Sequence, residues 1–120
     1  MEILTTQAEN GRRLQVTGEV DVSNASKLRD AIDELLNQGV PSIDVDLSQV
    51  SYIDSTGIGV LVGAVHRASD AGLSLTASNP QRNVARVLDM LGVSGELGIG
   101  AEFFSSATTH LEVCLRVWYW

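Results

Sequence analysis

An α/β domain built on a mixed, mostly parallel sheet is the fold that this 120-residue chain predicts. Three observations predict it. Apolar residues switch repeatedly between period two and period 3.6 along the chain, the mark of alternating strands and helices. Glycines close most of the helical stretches, at Gly39, Gly72 and Gly92. An Asn-Gly pair between the first two strand-like runs gives the tight turn of an antiparallel hairpin, whereas the later strands are each separated by a helix and so run parallel.

The first two strands are expected over Glu2–Gln7 and Arg12–Val20, with Glu9-Asn10-Gly11 between them. Ser23 then stands where it can cap a helix, in which Ala25, Leu28, Ile32, Leu35 and Leu36 recur at helical spacing up to Gly39. Period two returns over Ser42–Leu47, with Ile43, Val45 and Leu47 on one side and Asp44 and Asp46 on the other.

After a short irregular stretch a second helix is expected over Ser55–Ala71, beginning at Asp54 or Ser55. Its apolar face is Ile58, Leu61, Val62, Val65 and Ala68, and Gly72 ends it. Leu73, Leu75 and Ala77 alternate as a strand, and Asn79-Pro80 supplies a cap and a first-turn proline to a helix carrying Val84, Val87, Leu88 and Leu91. A strand over Ile99–Phe104 and a helix from Ser106, with Leu111, Cys114 or Leu115 and Trp118 in register, close the chain. The total is four to five strands and about four helices in one domain over residues 1–120.

Composition narrows the function. With 44% hydrophobic and 19% charged residues the chain can fill a core and offset the entropy of folding. The net charge is -7, and one lysine and seven arginines are scattered along the chain. Phosphate backbones need clustered cations, so direct nucleic-acid binding is disfavoured. No apolar run approaches the roughly 20 residues that span a bilayer, so no membrane association is expected. The single cysteine, Cys114, excludes an intrachain disulfide, and the first residues lack a signal-peptide pattern. A cytoplasmic protein is expected.

The most informative stretch runs from Asp46 to Gly63 and contains Asp54-Ser55-Thr56-Gly57-Ile58-Gly59, with Gly18-Glu19-Val20-Asp21-Val22 upstream. It closely resembles the STAS domain of anti-sigma factor antagonists, and element order and motif positions extend the resemblance over essentially the whole chain. The resemblance implies a non-catalytic switch. The unphosphorylated form binds an anti-sigma factor that is itself a serine/threonine kinase, and so releases a sigma factor to activate transcription. Phosphorylation of Ser55 turns that binding off, and a metal-dependent serine phosphatase restores it. Thr56 is the second hydroxyl, and Asp21, Asp54, Ser55, Thr56, Gly57 and Ile58 are the partner-binding residues that the resemblance implies. No cofactor or metal is implied, and a monomer is expected when the protein is free.

The residues themselves allow plainer readings. A serine before a helix is most often a cap, and Asp54 and Asp21 equally suit capping. The Gly57 to Gly63 spacing misses the dinucleotide fingerprint, and no Gly-Lys-Ser or Gly-Lys-Thr is present. His66 and His110 lie on separate predicted helices without metal-ligand spacing or a nearby nucleophile, and no acid/base pair or nucleophile with a base stands out. A receiver domain phosphorylated on Asp54 is an alternative, but it needs an early acidic pair and a late lysine. The first strand ends in Thr5-Thr6-Gln7, and no lysine follows Lys27. A STAS scaffold module of a stress-signalling assembly keeps the fold and changes the partner. The Trp118-Tyr119-Trp120 ending fits a frayed end, a partner contact or self-association.

Overall fold

A computed structural model describes residues 1–98. The chain order is β1 (Glu2–Ala8), β2 (Gly11–Val20), α1 (Ala25–Asn37), β3 (Ser42–Ile53), α2 (Ser55–Asp70), β4 (Ser74–Ser78) and α3 (Arg82–Met90). The four strands form one sheet in the order β1-β2-β3-β4, with β1 antiparallel to β2 and the other two pairs parallel. The strand expected over Ile99–Phe104, the last helix, His110, Cys114 and the aromatic ending lie outside the described residues.

The hairpin turns where expected, but by a different division of labour. Ala8 pairs with Gly11, and the left-handed conformation falls on Asn10 (φ 67°), not on the glycine. Gly11 is small for another reason: a Cβ there would lie 1.8 Å from the Ser42 carbonyl oxygen as β2 and β3 begin side by side.

One face of the sheet carries the core. Leu14, Val16 and Val20 of β2 and Ile43, Val45, Leu47 and Val50 of β3 are fully buried against Leu28 and Ile32 of α1 and Leu61, Ala64 and Ala68 of α2. The neighbouring registers Arg13↔Asp44↔Thr76 give the other face a polar row. Within it, Asp44 accepts from Arg13 Nε at 3.2 Å and from the Ser78 hydroxyl at 2.9 Å.

The strand expected to end at Leu47 continues to Ile53. Its period-two signal fades because the β2–β3 register slips twice, from Gln15↔Asp46 to Thr17↔Gln49 and from Gly18↔Val50 to Glu19↔Tyr52. Each slip inserts one extra residue into β3 and turns its side chains over. Asp46 lies just before the first slip, still paired with Gln15, and is buried (6% exposed), where it accepts the Ser48 N–H at 3.0 Å.

Three helix details differ from expectation. Ser23 does not cap α1: it donates to Asp21, and Asn24 occupies the cap position without a side-chain cap bond. On α2 the buried positions are Gly57, Ile58, Leu61, Ala64 and Ala68, with Val62 and Val65 only half-buried. α3 starts after Gln81, because Asn79 turns the chain in a left-handed conformation (φ 55°) and places Pro80 in a buried position outside the helix. Val84, Ala85 and Leu88 face inward there, whereas Val87 and Leu91 are exposed.

β4 pairs only with Ser42–Asp46 of β3. Beyond that point α3 takes over the edge through side chains. Gln81 Nε2 donates to the Ser48 carbonyl at 3.0 Å and Asn83 Nδ2 to the Ser51 carbonyl at 2.7 Å.

Candidate functional site at the ends of β2 and β3

Parallel strands that end in register deliver their following residues to one place. Val20 pairs with Ile53, the last residues of β2 and β3, and the Asp54 N–H continues the ladder to the Val20 carbonyl at 3.0 Å. Asp21 and Asp54 therefore leave the sheet side by side, at the carboxyl ends of parallel strands where α/β folds gather functional loops.

Asp54 is the N-cap of α2. Its backbone is extended (φ -98°, ψ -179°), and Oδ1 accepts the Gly57 N–H at 3.0 Å, satisfying one of the amides that a helix start leaves without a partner. Its second oxygen, Oδ2, accepts the Val22 N–H at 3.2 Å, so one carboxylate joins the β2–α1 loop to the start of α2.

The β2–α1 loop is fixed from its own side as well. Asn24 Oδ1 accepts the Asp21 N–H at 2.9 Å, and Asn24 Nδ2 donates to the Glu19 carbonyl at 2.9 Å. Asp21 Oδ1 accepts the Ser23 hydroxyl and, at 2.9 Å, the Ser23 N–H. These bonds to Ser23, the hydroxyl first and the amide next, hold the Asp21 carboxyl below its ordinary pKa, so it stays ionised beside Asp54.

Ser55 and Thr56 are the first two residues of α2 and are exposed. Because Asp54 serves as the cap, the Ser55 hydroxyl is not engaged in capping. Gly57 and Ile58, expected among the partner-binding residues, are buried. A Cβ on Gly57 would sit 2.7 Å from Val20 Cγ1 and 2.8 Å from Ile53 Cγ1, so this glycine lets the helix start press onto the strand ends. Gly59 is exposed with open space around it, and it alone of the two glycines leaves room for a partner's approach.

Sequence reasoning missed Val22 and Asn24. Asn24 lies three residues after an aspartate and directly before a helix, a local pattern that suits loop stapling. Val22 carries no such signal, since its bond to Asp54 spans 32 residues. His66 is exposed and pairs with Glu96 at 3.3 Å, away from these loops. Among the described residues no helix is long and apolar enough to cross a membrane, and no group of three or more His, Cys, Asp or Glu is placed to hold a metal ion.

Residues 3–100 match the family described as Mlab, STAS domain. The anti-sigma-B factor antagonist of Bacillus subtilis is 35% identical over 96 residues, which cover 80% of this chain and 87% of the relative. The fold is shared with an anti-sigma factor antagonist from Mycobacterium paratuberculosis (TM-score 0.75, 18% identity, 92% of this chain and 91% of that one). It is shared also with the Bacillus cell fate determinant SpoIIAA in its phosphorylated form (TM-score 0.65, 16% identity, 92% and 97%). By the family match over most of its length and the identity to the Bacillus subtilis protein, the chain belongs to the STAS-domain family of anti-sigma factor antagonists.

Proposed function

We propose that this protein binds an anti-sigma factor serine/threonine kinase while unphosphorylated, frees the sigma factor held by that kinase, and is switched off by phosphorylation of Ser55. Asp21, Asp54, Ser55 and Thr56 form the contact surface, with Gly57 and Ile58 packed beneath it. A metal-dependent serine phosphatase reverses the modification. The protein acts in the cytoplasm as a monomer without catalysis or direct nucleic-acid contact.

The observation that carries this reading is the exposed Ser55 at the first position of α2, not used as the helix cap because Asp54 supplies it. A phosphate there adds roughly -1.5 to -2 charges at a helix N-terminus, which favours anions by about 0.3 to 1 kcal/mol. The fold tolerates the modification for that reason. Binding responds differently, because the dianion joins the carboxylates of Asp21 and Asp54 on one surface.

Against a partner carboxylate about 6 Å away, an effective dielectric near 20 gives roughly 3 kcal/mol per charge pair. That is about a hundredfold in affinity. Charge and bulk at the contact surface act as the switch, without refolding.

The test is intact-mass and peptide mass spectrometry after incubation with source-cell lysate and ATP, comparing wild type with Ser55→Ala. A single phosphate at Ser55, absent from the variant, is expected and identifies the kinase fraction. No phosphate, or one on Asp54 that is lost in acid and alkali, overturns the reading.

A further inference from the structure

Val22 is 76% exposed, an apolar side chain standing between Asp21 and Ser23 at the switch site. Single exposed apolar residues are ordinary on protein surfaces. The mounting of this one is not. Its N–H is held by Asp54 Oδ2 at 3.2 Å, the same carboxylate whose other oxygen caps the helix that begins at Ser55.

The residues on either side of Val22 are pinned too, Asp21 by the Asn24 side chain and Ser23 by the Asp21 carboxylate. A valine has one side-chain torsion, and that torsion is stiff. The side chain is therefore presented to solvent in a nearly fixed pose, so that burying it under a partner loses little conformational freedom.

The charged side chains flanking it are acidic, and the Met1 ammonium also bears on Asp21, after the hydrogen bonds from Ser23 and Asn24. In the two segments that meet here, residues 19–24 and 52–57, the only charged residues are Glu19, Asp21 and Asp54. An apolar knob flanked by acidic side chains is complementary to an apolar pocket with a cationic rim.

Resting on the function proposed above, we infer that Val22 is the apolar anchor of the interface, seated in a pocket of the anti-sigma factor kinase that is rimmed by arginine or lysine. The anchor supplies affinity and the flanking carboxylates supply orientation. Phosphate on Ser55 then acts at the edge of a contact whose centre is Val22.

The test is titration of the kinase obtained through the Ser55 assay with wild type, Val22→Thr, Val22→Lys and Ser55→Asp. Val22→Thr keeps the branched shape and exchanges a methyl group for a hydroxyl, so the loop and the melting temperature are expected to hold. Its affinity is expected to fall roughly tenfold to a hundredfold, and Val22→Lys is expected to fall further against the cationic rim. Wild-type affinity in Val22→Thr, with binding lost in Ser55→Asp, overturns the anchor and leaves the switch intact. Binding by Val22→Lys equal to or tighter than that of Val22→Thr overturns the cationic rim. No binding by wild type overturns the switch and the anchor together.

Discussion

Asp54 accepts the backbone N–H of Val22, 32 residues earlier in the chain, while its other oxygen caps α2. The β2–α1 loop and the helix start at Ser55 thus share one carboxylate. Asp54→Ala removes both bonds, and a lost N-cap of this kind costs about 0.5 to 2 kcal/mol. Urea unfolding is expected to place Asp54→Ala toward the upper end of that range. Asp54→Asn keeps one side-chain acceptor and is expected to fall between the alanine variant and wild type.

Gly57 and Gly59 share the first turns of α2 yet predict opposite outcomes. Gly57→Ala forces a Cβ to within 3 Å of Val20 and Ile53, and overpacking of this kind costs typically about 1 to 3 kcal/mol. Gly59→Ala meets nothing within 4 Å and gains up to about 1 kcal/mol of helix propensity. Thermal melts are expected to move down for the first and up for the second. Melts that shift in the same direction would remove the close packing of the helix start from the explanation of Gly57.

Ser55→Asp places an anion at the proposed phosphorylation site. The side chain is exposed and the cap lies on Asp54, so stability is expected within about 0.5 kcal/mol of wild type. Circular dichroism is expected to be unchanged while kinase binding is lost. Global unfolding of this variant would contradict a switch that works by charge and bulk alone.

The Asp21 carboxylate gives the β2–α1 loop a pH dependence. Folding lowers its pKa, so the stabilisation that it brings is complete above the ordinary aspartate value, about 4. It is lost as pH falls through the lower, folded-state value. A carboxyl titration followed by NMR is expected to show a midpoint below that of a peptide aspartate. Ser23→Ala removes the hydroxyl that contributes most to the shift, and the midpoint is expected to move back up.

Much of this was legible in the sequence because it is local. The hairpin turn, the inward positions of α1 and the Asp54-Ser55-Thr56 helix start are set by residues within a few positions of one another. The far end of β3 was not legible, since two register slips against β2 break the alternation by which a strand is recognised. The start of α3 depends on the left-handed turn at Asn79, which moves Pro80 out of the first turn that its residue type favours. The bond between Val22 and Asp54 exists only because Val20 and Ile53 end in register, a tertiary fact without a local signature. Ile58 stood on the predicted apolar face of α2 and is buried as expected, whereas the packing of Gly57 against Val20 and Ile53 is tertiary and has no local signature.

Gln81 and Asn83 bear on how the molecule meets copies of itself. Five of the twelve residues of β3 pair with β4, and the Ser48 and Ser51 carbonyls beyond that pairing lie on a strand edge that no other strand among the described residues covers. An open edge is the usual entry point for a foreign strand, and through it for aggregation. Here the two amide side chains already occupy those carbonyls, so an intruding strand must first displace α3 from the seam. The molecule thereby keeps a long central strand without leaving those acceptors open to an intruding one.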